Sequence, residues 1–78
     1  MAQLKFFGYL SDLVGTRIKE LSLDHSMRLR ELVTPDFPES NIIILINQKA
    51  GNLDSEITDQ DSVVFMPILS GGEIFGNG

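Results

Sequence analysis

The stretch Ile42-Ile43-Ile44-Leu45-Ile46 is the longest apolar run in the 78-residue chain. Because alternate residues of a strand point to opposite faces, this run is apolar on both faces, as in a central strand that is covered on both sides. It is far too short to span a bilayer, which takes about 20 residues. The run therefore predicts a buried strand in a small globular domain.

Three further strands are predicted around this run. Residues 4–10 alternate between two faces and include aromatic side chains, which favours a strand over a helix. Residues 16–23 follow after a short gap and should pair with them as an antiparallel hairpin. Residues 63–66 form the last predicted strand, with Pro67 tolerated only at its end or at an edge.

A helix is predicted between the second and third strands. Leu29, Leu32 and Val33 have the i, i+3, i+4 spacing of one helix face, Ser26 is a suitable N-cap, and the chain leaves the helix before Pro35. A shorter helical turn capped by Ser11 and ended by Gly15 is expected between the first two strands.

The order strand, strand, helix, strand, strand predicts an α+β fold. A hairpin followed by a crossover helix and a returning strand gives a small mixed sheet with one main helix packed on one face. This is the ubiquitin-like β-grasp arrangement.

Composition excludes several classes of site. The chain contains no cysteine, so it has no disulfide, thiol nucleophile or cysteine-ligated metal. A net charge of −5 argues against nucleic-acid binding. The N-terminal residues lack a basic region leading into an apolar stretch, so neither a secretory signal nor a membrane partner is expected, and the predicted location is the cytoplasm.

Side chains for catalysis or metal binding are not evident. His25 is the single histidine, and it has no predicted nucleophile or co-ligand. Four acidic residues between the last strands lack the central glycine and register of a calcium loop, and are expected to form a solvated turn or an acidic contact for a basic partner: Asp54, Glu56, Asp59 and Asp61. No metal site is predicted.

The apolar content exceeds what one helix can cover. A single helix covers one face of the sheet, so a second apolar face should be exposed and available to a protein partner. An alternative is a thicker core in which Phe37 and Ile68 act as covers. The side chains expected on the second face include Phe7, Tyr9, Ile43 and Leu45.

Four stretches of the sequence, taken in their order along the chain, resemble the MoaD family, the small subunits of molybdopterin synthase. They are residues 5–10 (KFFGYL) followed by Gly15, residues 46–48 (INQ), residues 57–67 (ITDQDSVVFMP) and residues 66–72 (MPILSGG). The thiamin sulfur carrier ThiS is a related, second possibility within the same superfamily.

The resemblance implies that the reactive group is a main-chain carboxylate. An activating enzyme would use ATP to adenylate the C-terminal glycine, sulfur transfer would give a thiocarboxylate, and the large subunit of molybdopterin synthase would pass the sulfur to a pterin precursor. Gly72 is the implied thiocarboxylate position and Gly71 its partner in threading a narrow channel. The chain would be non-catalytic alone, with no permanently bound cofactor.

The same resemblance turns the second apolar face into the docking surface for the large subunit. The residues expected to bind this partner are Phe7, Tyr9, Ile43, Leu45, Phe65, Pro67, Ile68 and Leu69.

The sequence departs from the family because Glu73-Ile74-Phe75-Gly76-Asn77-Gly78 follows Gly72. We therefore divide the chain into a carrier-like domain, residues 1–72, and a C-terminal extension, residues 73–78. Either a protease removes the extension, or Gly78 is the activated terminus, or the carrier role is lost. A ubiquitin-like protein modifier and a non-carrier β-grasp interaction domain also fit the sequence.

Overall fold

The computed structural model describes residues 1–68 of the chain. Their order is β1 (Ala2–Phe6), α1 (Tyr9–Val14), β2 (Ile18–Leu21), β3 (Met27–Arg28), a 3-10 turn (Leu29–Leu32), β4 (Ile42–Ile46), β5 (Lys49–Gly51), β6 (Glu56–Ile57) and β7 (Ser62–Pro67). Within these residues no helix has the length and apolar character needed to cross a membrane.

Five strands form one mixed sheet in the order β2-β1-β7-β4-β5. β7 is parallel to β1, and the other neighbouring pairs are antiparallel. The strand predicted at residues 42–46 is confirmed as β4, but β7 is the central strand and β4 lies between β7 and β5. The predicted hairpin of the first two strands and the mixed α+β fold are confirmed.

An aromatic cluster holds the middle of the core together. The rings of Phe6 and Phe65 stack with their centroids 4.9 Å apart and their planes 11° apart. Phe37 packs edge-on against both rings, at centroid distances of 6.1 and 5.3 Å. These contacts join the loop before β4 to the two central parallel strands.

The first predicted strand is too long. β1 ends at Phe6, and Gly8, with a φ of 60°, turns the chain so that α1 begins at Tyr9. Leu10 is still fully buried, but it enters the core from α1 rather than from the strand. Gly15 ends this helix in the left-handed conformation, as predicted.

The predicted main helix is wrong in type. Residues 27–32 form β3 and one 3-10 turn, with β3 paired to β6. The backbone N–H groups of Leu29 and Arg30 donate to the carbonyl oxygens of Ser55 and Leu53, at 3.0 and 2.8 Å. Pairing with a distant segment therefore replaces the helix, although Leu29 is fully buried on the predicted apolar side.

The connection between β5 and β7 is also more structured than the polar composition predicted. It contains β6, and Ile57 of this strand is fully buried. Its neighbour Leu53 is buried as well. The strand is short and carries one apolar residue, so the two-residue alternation that marks a strand in a sequence could not show it.

A tight turn at Asn47-Gln48 joins β4 to β5. Both residues have positive φ, 51° and 72°, as two-residue hairpin turns with this twist require. The Asn47 side chain donates to Asp61 Oδ1 at 2.8 Å and accepts from the Ser62 N–H at 3.0 Å. Asn47 thus fastens the turn to the start of β7.

The turn generates a paired stability prediction. Gln48→Gly should raise the free energy of unfolding by about 0.5–1 kcal/mol, because a left-handed backbone costs an ordinary residue about 1–2 kcal/mol. Asn47→Gly should lower it by about 1 kcal/mol, because it removes two hydrogen bonds. Urea denaturation measures both variants, and equal effects of the two would contradict this account of the turn.

Candidate functional site

One face of the five-stranded sheet is left open by the described residues. The strand registers align Ile18, Lys5, Val64, Leu45 and Ala50 in one row across the sheet. Met66 and Ile43 form the next row of the same face. We call these seven residues the open face.

The opposite face of the sheet carries the whole core. Its buried residues pack against side chains that come from outside the sheet, namely Leu10, Leu29, Phe37, Leu53 and Ile57. On the open face, by contrast, Ile18 is 52% exposed and Ile43 is 41% exposed. The second apolar face expected from the sequence is therefore present.

The alternative of a thicker, two-sided core does not match the described residues. Phe37 is buried, but it packs on the core side against Phe6 and Phe65. Ile68 is 48% exposed and does not close the sheet.

Seven of the eight predicted partner-binding residues divide into three groups. Phe7, Tyr9, Ile43 and Ile68 are exposed, and Leu45 and Pro67 are half-buried. Tyr9 belongs to α1 rather than to a sheet strand. Leu69 lies outside the described residues.

Phe65 is a correction to that set. It is fully buried, because its register partners Phe6 and Ile44 are both on the core side of the sheet. Its place on the second face is therefore wrong. Ile18, in contrast, was not predicted as a surface residue, and only its register opposite Lys5 in the hairpin places it on the open face.

A shallow cavity at one side of the open face carries two cations. Its lining includes Lys5, Phe7, Arg17 and Ile18, and it includes no acidic residue. Among residues 1–68 neither Lys5 nor Arg17 forms an ion pair. The cavity is therefore lined by cationic and apolar residues, and Glu20, the register partner of Gln3, is the acidic residue that follows on the same face of β2.

The point at which the chain leaves β7 is fixed by two contacts. The Ile68 N–H donates to the carbonyl oxygen of Asn41 at 2.8 Å, and Asn41 has a φ of 62°. On the other side, a Cβ built on Gly8 would lie 2.9 Å from Pro67 Cγ. Gly8 and Asn41 therefore set the base of the C-terminal segment. The predicted reactive positions Gly71, Gly72 and Gly78 lie outside the described residues.

Most of the acidic cluster has an internal role. Asp54 pairs with Arg30 at 2.9 Å. The hydrogen bond from the Leu23 N–H lowers the pKa of Asp59, and the hydrogen bond from the Asn47 amide lowers the pKa of Asp61. These carboxylates fasten turns, which agrees with the expected solvated turn.

The potential metal ligands and the single histidine can also be located in the described part of the chain. No group of three or more potential metal ligands comes together within residues 1–68. His25 is exposed in a turn.

Comparison with known proteins gives a family and a fold. The model of the ThiS family matches residues 4–72. No curated protein matches the sequence.

Two solved structures share the fold at low sequence identity. A protein from Pyrococcus furiosus, described as a molybdopterin converting factor subunit 1, has a TM-score of 0.67 and 21% identity, over 87% of this chain and 97% of that one. SAMP1 from Haloferax volcanii has a TM-score of 0.66 and 20% identity, over 91% and 98% of the two chains. The resemblance to the MoaD and ThiS superfamily and the ubiquitin-like β-grasp fold are thus confirmed.

The contact between Gly8 and Pro67 generates a prediction with a built-in control. Gly8 and Gly15 both have positive φ, but only a Cβ on Gly8 would meet a neighbour within 4 Å. We expect Gly15→Ala to lower the free energy of unfolding by about 1 kcal/mol and Gly8→Ala by about 3 kcal/mol. Thermal or urea denaturation measures the difference, and equal losses would show that the Pro67 contact has no energetic weight.

Proposed function

Because the chain belongs to the ThiS family, we propose that it is a ubiquitin-like sulfur carrier and serves as the small subunit of molybdopterin synthase. The observation that carries the proposal is the extent of the family match, which ends at Gly72, the second glycine of Gly71-Gly72. The fold shared with the molybdopterin converting factor subunit of Pyrococcus furiosus supports the choice of pathway.

The proposed chemistry takes place on the backbone. A terminal carboxylate, with a pKa of about 3.3–3.7, is ionised at neutral pH and is a poor acyl electrophile. An activating enzyme converts it to an acyl-adenylate with ATP and releases pyrophosphate. A sulfur donor then displaces AMP, which leaves a thiocarboxylate on Gly72.

The large subunit supplies the site for sulfur transfer. Gly71 and Gly72 carry no Cβ, so this end of the chain can enter a narrow channel and approach the pterin precursor.

The extension requires a maturation step. In the 78-residue chain Gly72 is joined to Glu73 by an amide and has no carboxylate to adenylate. We propose that a protease removes residues 73–78. Activation of Gly78 on a retained extension is the alternative.

The open face is the proposed docking surface for the large subunit. Exposed apolar side chains in a sheet face provide the desolvated centre of a typical interface, and Phe7 at its side is a suitable aromatic anchor. β7 ends at Pro67 in the same sheet, so docking of the large subunit on the open face would also bring the C-terminal segment close to this partner.

Thiamin biosynthesis is the second candidate pathway. The name of the matching family model favours it, and the proposed carrier chemistry is the same up to the thiocarboxylate. The two pathways differ in the acceptor of the sulfur.

A reconstituted assay tests the carrier proposal. We expect residues 1–72 to support ATP-dependent adenylation and sulfuration of the pterin precursor, and residues 1–78 to remain inactive until the extension is removed. Gly72→Val should lower the rate at least about tenfold, whereas the matched control Ser70→Val should retain activity.

Other outcomes of this assay separate the alternatives. Activation of residues 1–78 at Gly78 would contradict processing, and sulfur delivery to a thiazole precursor alone would assign the chain to thiamin biosynthesis. Conjugates on lysines of other proteins would identify a protein modifier. If a chain truncated after Ser70 keeps full activity, the two glycines are not required, and only the alternative of a non-carrier interaction domain remains.

Docking on the open face gives a separate prediction. Ile43→Glu should weaken binding of the large subunit at least about tenfold, because it places a charge in the apolar interface. Leu13→Glu is the matched control, since Leu13 is 40% exposed against 41% for Ile43 but belongs to α1. Titration calorimetry measures both affinities, and equal losses would place the interface elsewhere.

A further inference from the structure

The open face combines an apolar surface with a basic side. Val64, Leu45 and Ile43 lie next to one another in the strand registers, and Lys5 is the register partner of Val64. Arg17 and Phe7 line the adjacent cavity together with Lys5. A ligand for this surface should present a carboxylate next to apolar side chains.

The chain itself contains a segment with this chemistry. Glu73-Ile74-Phe75 follows the two glycines, with one carboxylate directly before two large apolar residues. We propose that this segment of the extension binds the open face of its own domain. Glu73 pairs with Lys5, while Ile74 and Phe75 cover the apolar rows.

The length of the chain allows this arrangement. Four residues lie between Ile68 and Glu73, and the five Cα–Cα steps from Ile68 to Glu73 span about 17 Å in an extended chain. Lys5 is level with Val64, four residues back along β7 and one strand away, which is a distance of about 14 Å from Ile68. The chain must therefore turn back directly after Ile68, and the long side chains of Lys5 and Glu73 span the remaining distance between their Cα atoms.

Connection to the domain compensates for the small size of the contact. A segment held by a short linker experiences an effective concentration of about 1 mM or more. A contact too weak to bind as a free peptide can therefore remain occupied within one chain.

The consequence for regulation rests on the proposed function. If the large subunit docks on the open face, the bound extension and the partner compete for the same side chains. Removal of residues 73–78 would then create the reactive glycine and uncover the docking surface in one step. Binding of the extension is measured without any partner or sulfur chemistry, so its failure leaves the carrier proposal intact.

A spin label on the extension tests the inference in the full chain. Because the chain contains no cysteine, Asn77→Cys gives one labelling site. We expect the backbone amide signals of Ile43, Leu45 and Val64 to lose most of their intensity relative to the reduced, diamagnetic sample. Ser26 and Asp36, which lie outside the sheet, should be unaffected.

Variants of the labelled chain distinguish binding of the Glu73-Ile74-Phe75 segment to the open face from adhesion of the spin label itself to that face. Phe75→Ser should restore the lost signals although the label is still present. Lys5→Glu should restore them in part, and adding Glu73→Lys to that variant should bring the broadening back.

Three results would overturn the inference. Unchanged signals across the open face would mean that the segment does not bind there, and broadening that survives Phe75→Ser would assign it to the label. A mixture of labelled chains and isotope-enriched unlabelled chains must show no transfer of broadening, since transfer would make a second copy the occupant.

Discussion

The stacking of Phe6 on Phe65 is the contact on which the rest of the structure depends. It joins β1 and β7, which are the only parallel pair among the described strands and come from opposite ends of the described chain. A parallel pair requires a long connection, and here that connection supplies six of the eleven buried side chains of the core. Phe37 and the buried residues of α1, the 3-10 turn and β6 all pack on the same side of this pair.

A sheet covered on one side follows from this arrangement in so short a chain. The connecting segments all pack on the side of the sheet that carries Phe6 and Phe65. The described residues therefore leave isoleucines exposed on the other side. The same pair places Pro67, the last residue of β7, beside Gly8. The exposed apolar face and the position of the end of β7 thus both follow from packing on one side of the β1–β7 pair. Both agree with the proposed carrier role.

Sequence patterns predicted the parts of the fold in which hydrophobic periodicity is strong. The run Ile42–Ile46 gave β4 with its observed bounds, and Gly15 marked the end of α1. The spacing of Leu29, Leu32 and Val33 placed Leu29 correctly inside, but hydrogen bonds from Leu29 and Arg30 to residues near β6 decided the backbone conformation. Such pairings join distant segments, and local propensity does not contain them.

The residues of the candidate site also differ in whether the sequence could predict their positions. Exposed Ile43 and Phe7 could be predicted from strand alternation, whereas the burial of Phe65 required the register of three strands. Asn41 and Gly8 were missed as supports of the terminus, because a positive φ at asparagine or glycine leaves only a weak trace in one sequence.

The proposed thiocarboxylate at Gly72 is tested most directly by the intact mass of the protein isolated from its own cells. We expect a species that ends at Gly72 and is heavier than the plain carboxylate by the replacement of one oxygen with sulfur. A chain that retains residues 73–78 without sulfur, in cells that actively make molybdopterin, would contradict it.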